Sequence, residues 1–198
     1  MNHHAKNLYD HLLRVLSSHR FLSKQGLGNE VPFFICPYDP SKTNEVTRTV
    51  EQLLLNLQTM NIPVLRVDLY DLTIELLKAR SLWDKILEKE TLISKAELKE
   101  LLQGVLDAEV HLIPAISKKM KSTEFQILFL TGIGEVFPYI RSHNVLNNLQ
   151  RIAEDQPTLM FFPGGYNHSE EDGAVLQLFN RLRDDRYYRA FNIFQYEV

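Results

Sequence analysis

One cysteine, Cys36, is present in 198 residues. An internal disulfide is therefore excluded, and a reducing compartment is expected. Long apolar runs are missing: stretches such as Ile127 to Leu130 fall far short of the about 20 residues that span a bilayer. The first residues, Met1-Asn2-His3-His4, pass directly into an amphipathic pattern, so neither a signal peptide nor a membrane location is expected and a cytoplasmic one is. Neither sign of charge dominates. With 22 basic and 25 acidic side chains the formal charge is -3, which argues against a protein that coats nucleic acid by bulk electrostatics. No Gly-Lys pair occurs, so the phosphate loop of conventional ATP or GTP hydrolysis is absent. The histidines never form H-x-x-x-H or H-E-x-x-H, and no G-x-S-x-G elbow exists, so local support for a zinc site or a hydrolase triad is lacking. Lys42 stands where cysteine phosphatases carry an arginine after the nucleophile. Cys36 is therefore read as a buried apolar residue.

The composition, 44% hydrophobic and 24% charged, is that of a globular chain with a real core. One α/β domain over 1–198 is expected. Leu8, Leu12, Val15, Leu16 and His19 recur at helical spacing, with a stop expected near Gly26-Leu27-Gly28. Val31 to Cys36 reads as a strand buried on both faces. Val46, Val50, Leu53, Leu54 and Leu57 mark a helix, and Val64 to Val67 a second strand, which together make a βαβ unit. Residues 71–121 read as a helical insertion, with a capping box at Ser94 and Glu97. Phe125 to Leu130 and Thr158 to Phe162 are the next strands, the latter stopped by Pro163-Gly164-Gly165. Pro138 suits the first turn of a helix bearing Ile140, Leu146, Leu149 and Ile152. Val175, Leu178, Phe179 and Leu182 predict a last helix, and Ala190 to Phe194 a terminal strand. The pattern predicts a mainly parallel sheet of about five strands with helices on both faces, a P-loop- or Rossmann-like core without its phosphate loop.

In such a sheet, ligands bind beyond the carboxyl ends of the strands, here Pro37-Tyr38-Asp39, Asp68 to Asp71, Thr131 to Glu135, and Pro163 to Tyr166. The run Thr131-Gly132-Ile133-Gly134 sits like a dinucleotide turn, but Phe137 occupies the place of the third glycine. It is either a tight packing turn or a grip for an anion or a partner. Asp68 reads as a helix cap rather than a magnesium ligand. The acids beside His168 (Glu170, Glu171 and Asp172) read as a solvated helix start rather than a cation site. Two polar clusters follow. In the first, Arg141, Asn144 and Asn148 share one helical face, and His143 and Asn147 share another. The second is Arg181, Arg183, Arg186, Tyr187, Tyr188 and Arg189. Arginine with tyrosine is the composition of interface hot spots, though an internal salt-bridged cap or a nucleic-acid contact has the same composition. The candidate contact residues are Gly132, Gly134, Arg141, His143, Asn147, Tyr166, Arg183, Arg186, Tyr187 and Tyr188. No catalytic, metal or cofactor residue is proposed.

The succession from Leu130 through Thr131-Gly132-Ile133-Gly134-Glu135-Val136-Phe137-Pro138-Tyr139-Ile140-Arg141-Ser142-His143, with Leu146-Asn147-Asn148-Leu149, Phe161-Phe162-Pro163-Gly164-Gly165-Tyr166, Leu178 to Leu182 and Tyr187 to Ile193, resembles the BrxB family of bacterial BREX phage-defence systems. The resemblance implies a non-enzymatic or cryptic component that supports host-DNA methylation and phage restriction. It would do so by binding other BREX proteins, above all the PglZ-type protein, with no cofactor. A divergent nucleotide or phosphate binder, using Gly132 and Gly134 with Arg141 and His143, is the first alternative. A subunit that contacts DNA through Lys118, Lys119, Lys121 and the terminal arginines is the second.

Overall fold

A computed structural model describes residues 3–25, 32–169, 173–184 and 190–197. Its centre is a parallel sheet built from β1 (Phe33–Tyr38), β2 (Val64–Asp68), β3 (Ile127–Thr131), β4 (Thr158–Ser169) and β7 (Phe191–Asn192), in the order β2-β3-β4-β1-β7. The middle strands carry the apolar runs Phe33–Cys36, Ile127–Leu130 and Leu159–Phe162 because both faces are covered there. In β1, Phe33 and Ile35 point to one face and Phe34 and Cys36 to the other. Leu128 and Leu130 are likewise separated from Ile127 and Phe129, and Met160 and Phe162 from Leu159 and Phe161.

One face is covered by α1 (His3–Leu16), α2 (His19–Leu22) and α3 (Thr43–Thr59), whose Leu12, Leu16, Phe21, Val50, Leu53 and Leu57 close over Phe34, Phe129 and Phe161. The other face is covered by the chain between β2 and β3, which comprises α4 (Leu69–Ala79), α5 (Trp83–Glu90), α6 (Lys95–Val105), a π-helical turn at Ala108–Leu112 and α7 (Ile113–Ser122), together with α8 (Ser142–Leu149). Fully burying one such Leu or Phe stabilises by roughly 1.5–3 kcal/mol, so the two covered faces hold most of the fold's driving force. The expected capping box is present: Glu97 N donates to Ser94 Oγ at 3.3 Å, and Ser94 N donates to Glu97 Oε2 at 2.8 Å. The Ser94 hydrogen bonds hold the Glu97 carboxyl below its usual range. Among the described residues no helix is long and apolar enough to cross a membrane.

The parallel α/β core matches the expectation, and four local readings are corrected. The first helical stretch breaks at Ser18, whose side chain accepts from Phe21 N to start α2, and α2 ends at Leu22, ahead of Gly26. Pro138 does not open a helix. The Phe137–Pro138 bond is cis, and α8 begins only at Ser142. Only Phe191–Asn192 of the expected last strand pairs with β1, and Ile193–Gln195 forms a 3-10 turn. Most importantly, Pro163-Gly164-Gly165 does not stop β4. The strand runs on to Ser169 and pairs antiparallel with β5 (Gly173–Leu178), which pairs with β6 (Leu182–Asp184), so Val175, Leu178, Phe179 and Leu182 lie on a meander rather than a helix.

Candidate functional site

The carboxyl edge of the sheet is built around Asp68. Its Oδ1 accepts from Tyr70 N at 3.0 Å and Asp71 N at 3.2 Å, capping α4. Its Oδ2 accepts from Thr131 Oγ1 at 2.8 Å and pairs with Arg66 at 3.4 Å, while Arg66 Nε donates to Thr131 Oγ1 at 3.1 Å. This carboxylate is consumed by capping and by cross-strand bonds, as a structural aspartate would be.

Gly132 follows at φ +76°, and a Cβ there would lie 2.6 Å from Asp68 Oδ1 and 3.0 Å from the amide nitrogens of Leu69 and Tyr70. The backbone must therefore pass directly over the α4 cap, which only glycine permits. A Cβ on Gly134 would lie 3.0 Å from the Phe179 ring and 3.1 Å from Pro163. Ile133, Val136 and Ile140 point into the core. The Gly-x-Gly turn is thus filled by protein side chains on the sides that its glycines leave open. Cys36 is fully buried, and burial pushes its thiol up to about 12, so the nucleophilic thiolate is absent at neutral pH. No group of three metal-ligating side chains occurs among the described residues.

Three of the sequence candidates do meet. Arg141, His143 and Arg183 line one cleft of about 160 Å³, together with Ser142 and an apolar floor of Phe137, Phe162, Leu176, Leu178 and Leu182. Arg141 is the residue that caps the start of α8 in extended conformation, with no side-chain cap bond, and its guanidinium lies 5.6 Å from the centre of the Phe137 ring. His143 is buried in the first turn of the same helix. Arg183 arrives from β6, which reaches α8 only because the hairpin folds back from β4. Gly164 makes that junction: at φ +146° a Cβ would fall 2.1 Å from the Gln177 carbonyl oxygen. Phe179 and Asn180 turn the chain from β5 to β6 at φ 54° and 56°. The Phe179 ring packs edge-on against Phe137 at 6.2 Å, tying the hairpin to the turn that carries Arg141.

The other candidates lie elsewhere. Asn147 is exposed on α8. Tyr166 is buried, and its hydroxyl donates to the Ala190 carbonyl at 2.6 Å, fastening the hairpin to the chain's end. Arg186, Tyr187 and Tyr188 lie outside the described residues, as do Glu170, Glu171 and Asp172. Lys119, one of the three lysines near 120, is bonded to Glu75 at 2.8 Å in an exposed ion pair, which balances part of that basic excess on the surface. Sequence reasoning missed the cleft's floor: Leu178 and Leu182 carried a helical reading and Leu176 none, and only strand alternation around Gln177 hinted otherwise.

The family model described as "BREX protein BrxB" matches residues 65–193, most of the chain and all of this cleft. The chain belongs to the BrxB family. It is similar to a BREX protein BrxB of Bacillus cereus (strain H3081.97), 32% identical over 188 residues, covering 93% of this chain and 94% of the relative. It is also similar to a BREX protein BrxB of Escherichia coli O9:H4 (strain HS), 28% identical over 178 residues, covering 90% of this chain and 86% of the relative. No solved structure matches. The family resemblance read from the Gly-x-Gly turn, the Pro-Gly-Gly junction and the residues around Arg181 therefore holds, and those segments lie within the matched region.

Proposed function

We propose that this protein is a non-catalytic adaptor of a BREX anti-phage system, a single α/β unit in the cytoplasm that holds other BREX proteins together during host-DNA methylation and phage restriction. The PglZ-type protein is its first partner. The observation that carries the reading is the Arg141–His143–Arg183 cleft. Cationic groups stand over an apolar floor that ends in Leu182, which is 44% exposed. Arginine beside a desolvated apolar patch is the make-up of a protein-binding hot spot. The filled Gly-x-Gly turn and the consumed Asp68 support a role without turnover.

Co-purification with the PglZ-type protein tests the idea. Hydrogen bonds from a guanidinium to an anionic partner are worth about 1.5–3 kcal/mol, so Arg141→Glu combined with Arg183→Glu is expected to weaken the complex at least about tenfold. A complex of unchanged affinity in that double variant, and in Leu182→Asp, would remove the cleft from the interface.

A second reading takes the same cleft as a phosphate or nucleotide site, because Arg141 and Ser142 stand at the α8 N-terminus, where backbone donors and the helix dipole favour an anion. A thermal shift with a nucleotide panel separates the two, since a ligand that binds only the folded form raises apparent stability. Direct DNA contact ranks lower on a net charge of -3, and binding that falls steeply with salt would be its signature.

A further inference from the structure

The cleft between the start of α8 and β6 has two unlike halves. Its depth is apolar: Phe162 and Leu176 seal the bottom, and the half-buried Phe137 and the exposed Leu182 continue it to the surface. Its polar side carries charge of one sign. Arg141, His143 and Arg183 line it, and among the described residues no aspartate or glutamate does. His143 and Arg183 also hold interactions of their own within the protein. Arg141 is not occupied in that way. Among the described residues its guanidinium makes no hydrogen bond and no ion pair, and it lies over the Phe137 ring, 5.6 Å from the centre. A guanidinium resting over an aromatic ring keeps its N–H donors for an acceptor beside it, and a planar carboxylate matches that fork with two parallel bonds.

We infer that this cleft receives an acidic side chain of the partner protein, an aspartate or glutamate with a large apolar residue beside it, and the inference rests on the adaptor reading. The carboxylate meets Arg141, and the apolar side chain covers Leu182 and Phe137. Charge complementarity selects the acid, because every charged group on the cleft's polar side is basic or becomes so on protonation. The floor selects the acid's neighbour: an inorganic phosphate at Arg141 would leave Leu182 in water, whereas an apolar side chain removes it. The volume sets the size. An apolar cavity of roughly 150 Å³ takes up benzene, so a cleft of about 160 Å³ holds one ring-sized side chain with a carboxylate at its mouth.

The test titrates the full chain with 3-phenylpropionate, a carboxylate on an apolar ring, beside neutral 3-phenylpropionamide, cationic 3-phenylpropylamine and inorganic phosphate. Methyl NMR shifts of Leu176, Leu178 and Leu182 read the binding. 3-Phenylpropionate is expected to move those methyls and to bind at least about tenfold more tightly than the amide, with the amine and phosphate weaker still, as a charge-assisted hydrogen bond over an apolar floor requires. Arg141→Leu should abolish the preference for acid over amide and leave the amide's affinity unchanged. The second arm is the complex with the PglZ-type protein. Excess 3-phenylpropionate, but not the amide, is expected to weaken it, and Arg141→Glu to weaken it at least about tenfold with unchanged circular dichroism. The probe competition decides the matter if that variant does not fold. No methyl shift with 3-phenylpropionate, a preference for phosphate or the amine, or an acid preference that survives Arg141→Leu would overturn the inference. A complex that forms but ignores both 3-phenylpropionate and Arg141→Glu would also overturn it, and the adaptor reading would stand without this cleft. If the parent chain forms no complex at all, the adaptor reading falls and the partner's acidic segment falls with it.

Discussion

Gly164→Ala tests the junction that brings Arg183 to Arg141. Gly164 sits at φ +146°, in a region that is essentially glycine-only, and the added Cβ would fall 2.1 Å from the Gln177 carbonyl oxygen and 3.0 Å from Phe179 N. Both neighbours are backbone atoms, Gln177 in paired β5 and Phe179 N held by the Pro163 carbonyl at 2.8 Å, so no side chain can swing aside. Backbone strain alone is about 1–3 kcal/mol, and the clash must also part the Gly164–Leu178 pairing. A loss of at least about 3 kcal/mol is expected, which for a chain of this size lowers the thermal midpoint by about 6–12 °C. Gly104→Ala is the control of opposite sign. Gly104 lies in α6, and a Cβ there meets nothing within 4 Å, so the change should stabilise by about 0.5–1 kcal/mol. Urea denaturation followed by circular dichroism reads both, and interface loss in Gly164→Ala should exceed that of Arg183→Ala because the whole of β6 is displaced. If Gly164→Ala is as stable as the parent, β4 does not turn into the hairpin as described, and the convergence of Arg141, His143 and Arg183 falls with it.

Other expectations can be checked in the same way. Asp68→Ala removes the α4 cap and leaves Arg66 and Thr131 without their acceptor, so a loss of about 1–3 kcal/mol by denaturant titration is expected, and Asp68→Asn should recover part of it. Gly132→Ala, which presses a Cβ onto that same cap, should be destabilising and should not add to Asp68→Ala, as coupled neighbours behave in a double-mutant cycle. Cys36 should resist thiol reagents at pH 8 in the native protein and react on unfolding. Burial raises this thiol from 9.0 to about 12, so the folded form holds its proton longer than the unfolded one. The stability it contributes is complete below pH 9 and falls by about 1.4 kcal/mol per pH unit as pH climbs toward 12, a decline that should flatten in Cys36→Ala. Tyr38, raised by burial from 10.0 to about 12, steepens the same decline above pH 10.

Much of the sheet was readable because its strands are buried on both faces. Phe33 to Cys36, Ile127 to Leu130 and Leu159 to Phe162 are runs that no surface helix would carry. The capping role of Asp68 followed from its place between a strand and an apolar helix. The meander was hidden for a physical reason. Val175, Leu178, Phe179 and Leu182 have helical spacing, but the chain reverses at Phe179 and Asn180 with positive φ, a conformation that a phenylalanine does not advertise. Pro163-Gly164-Gly165 carries the composition of a stop, whereas the glycine serves the close approach of Gln177. The candidate cleft was legible only in its ingredients. Arg141 and His143 belong to one helix start, but their meeting with Arg183 depends on that unseen reversal. The shut-away Oε2 of Glu45, which has no hydrogen-bond partner, gave no sign at all, since an acid in the first turn of α3 looks like any helix-start carboxylate.

Strand β1 lies between β4 and β7, both of which are translated long after it. Phe34 and Ile35 pair with Phe191 and Asn192, and Tyr196 Oη donates to the Gln25 carbonyl at 2.7 Å, so segments about 160 residues apart are sewn together. A nascent chain on the ribosome must therefore carry an apolar strand with an open edge until residues 191–192 have emerged, the kind of edge that recruits other strands. Emergence of Phe191 and Asn192, rather than of any earlier segment, is the moment at which that edge becomes safe from its neighbours.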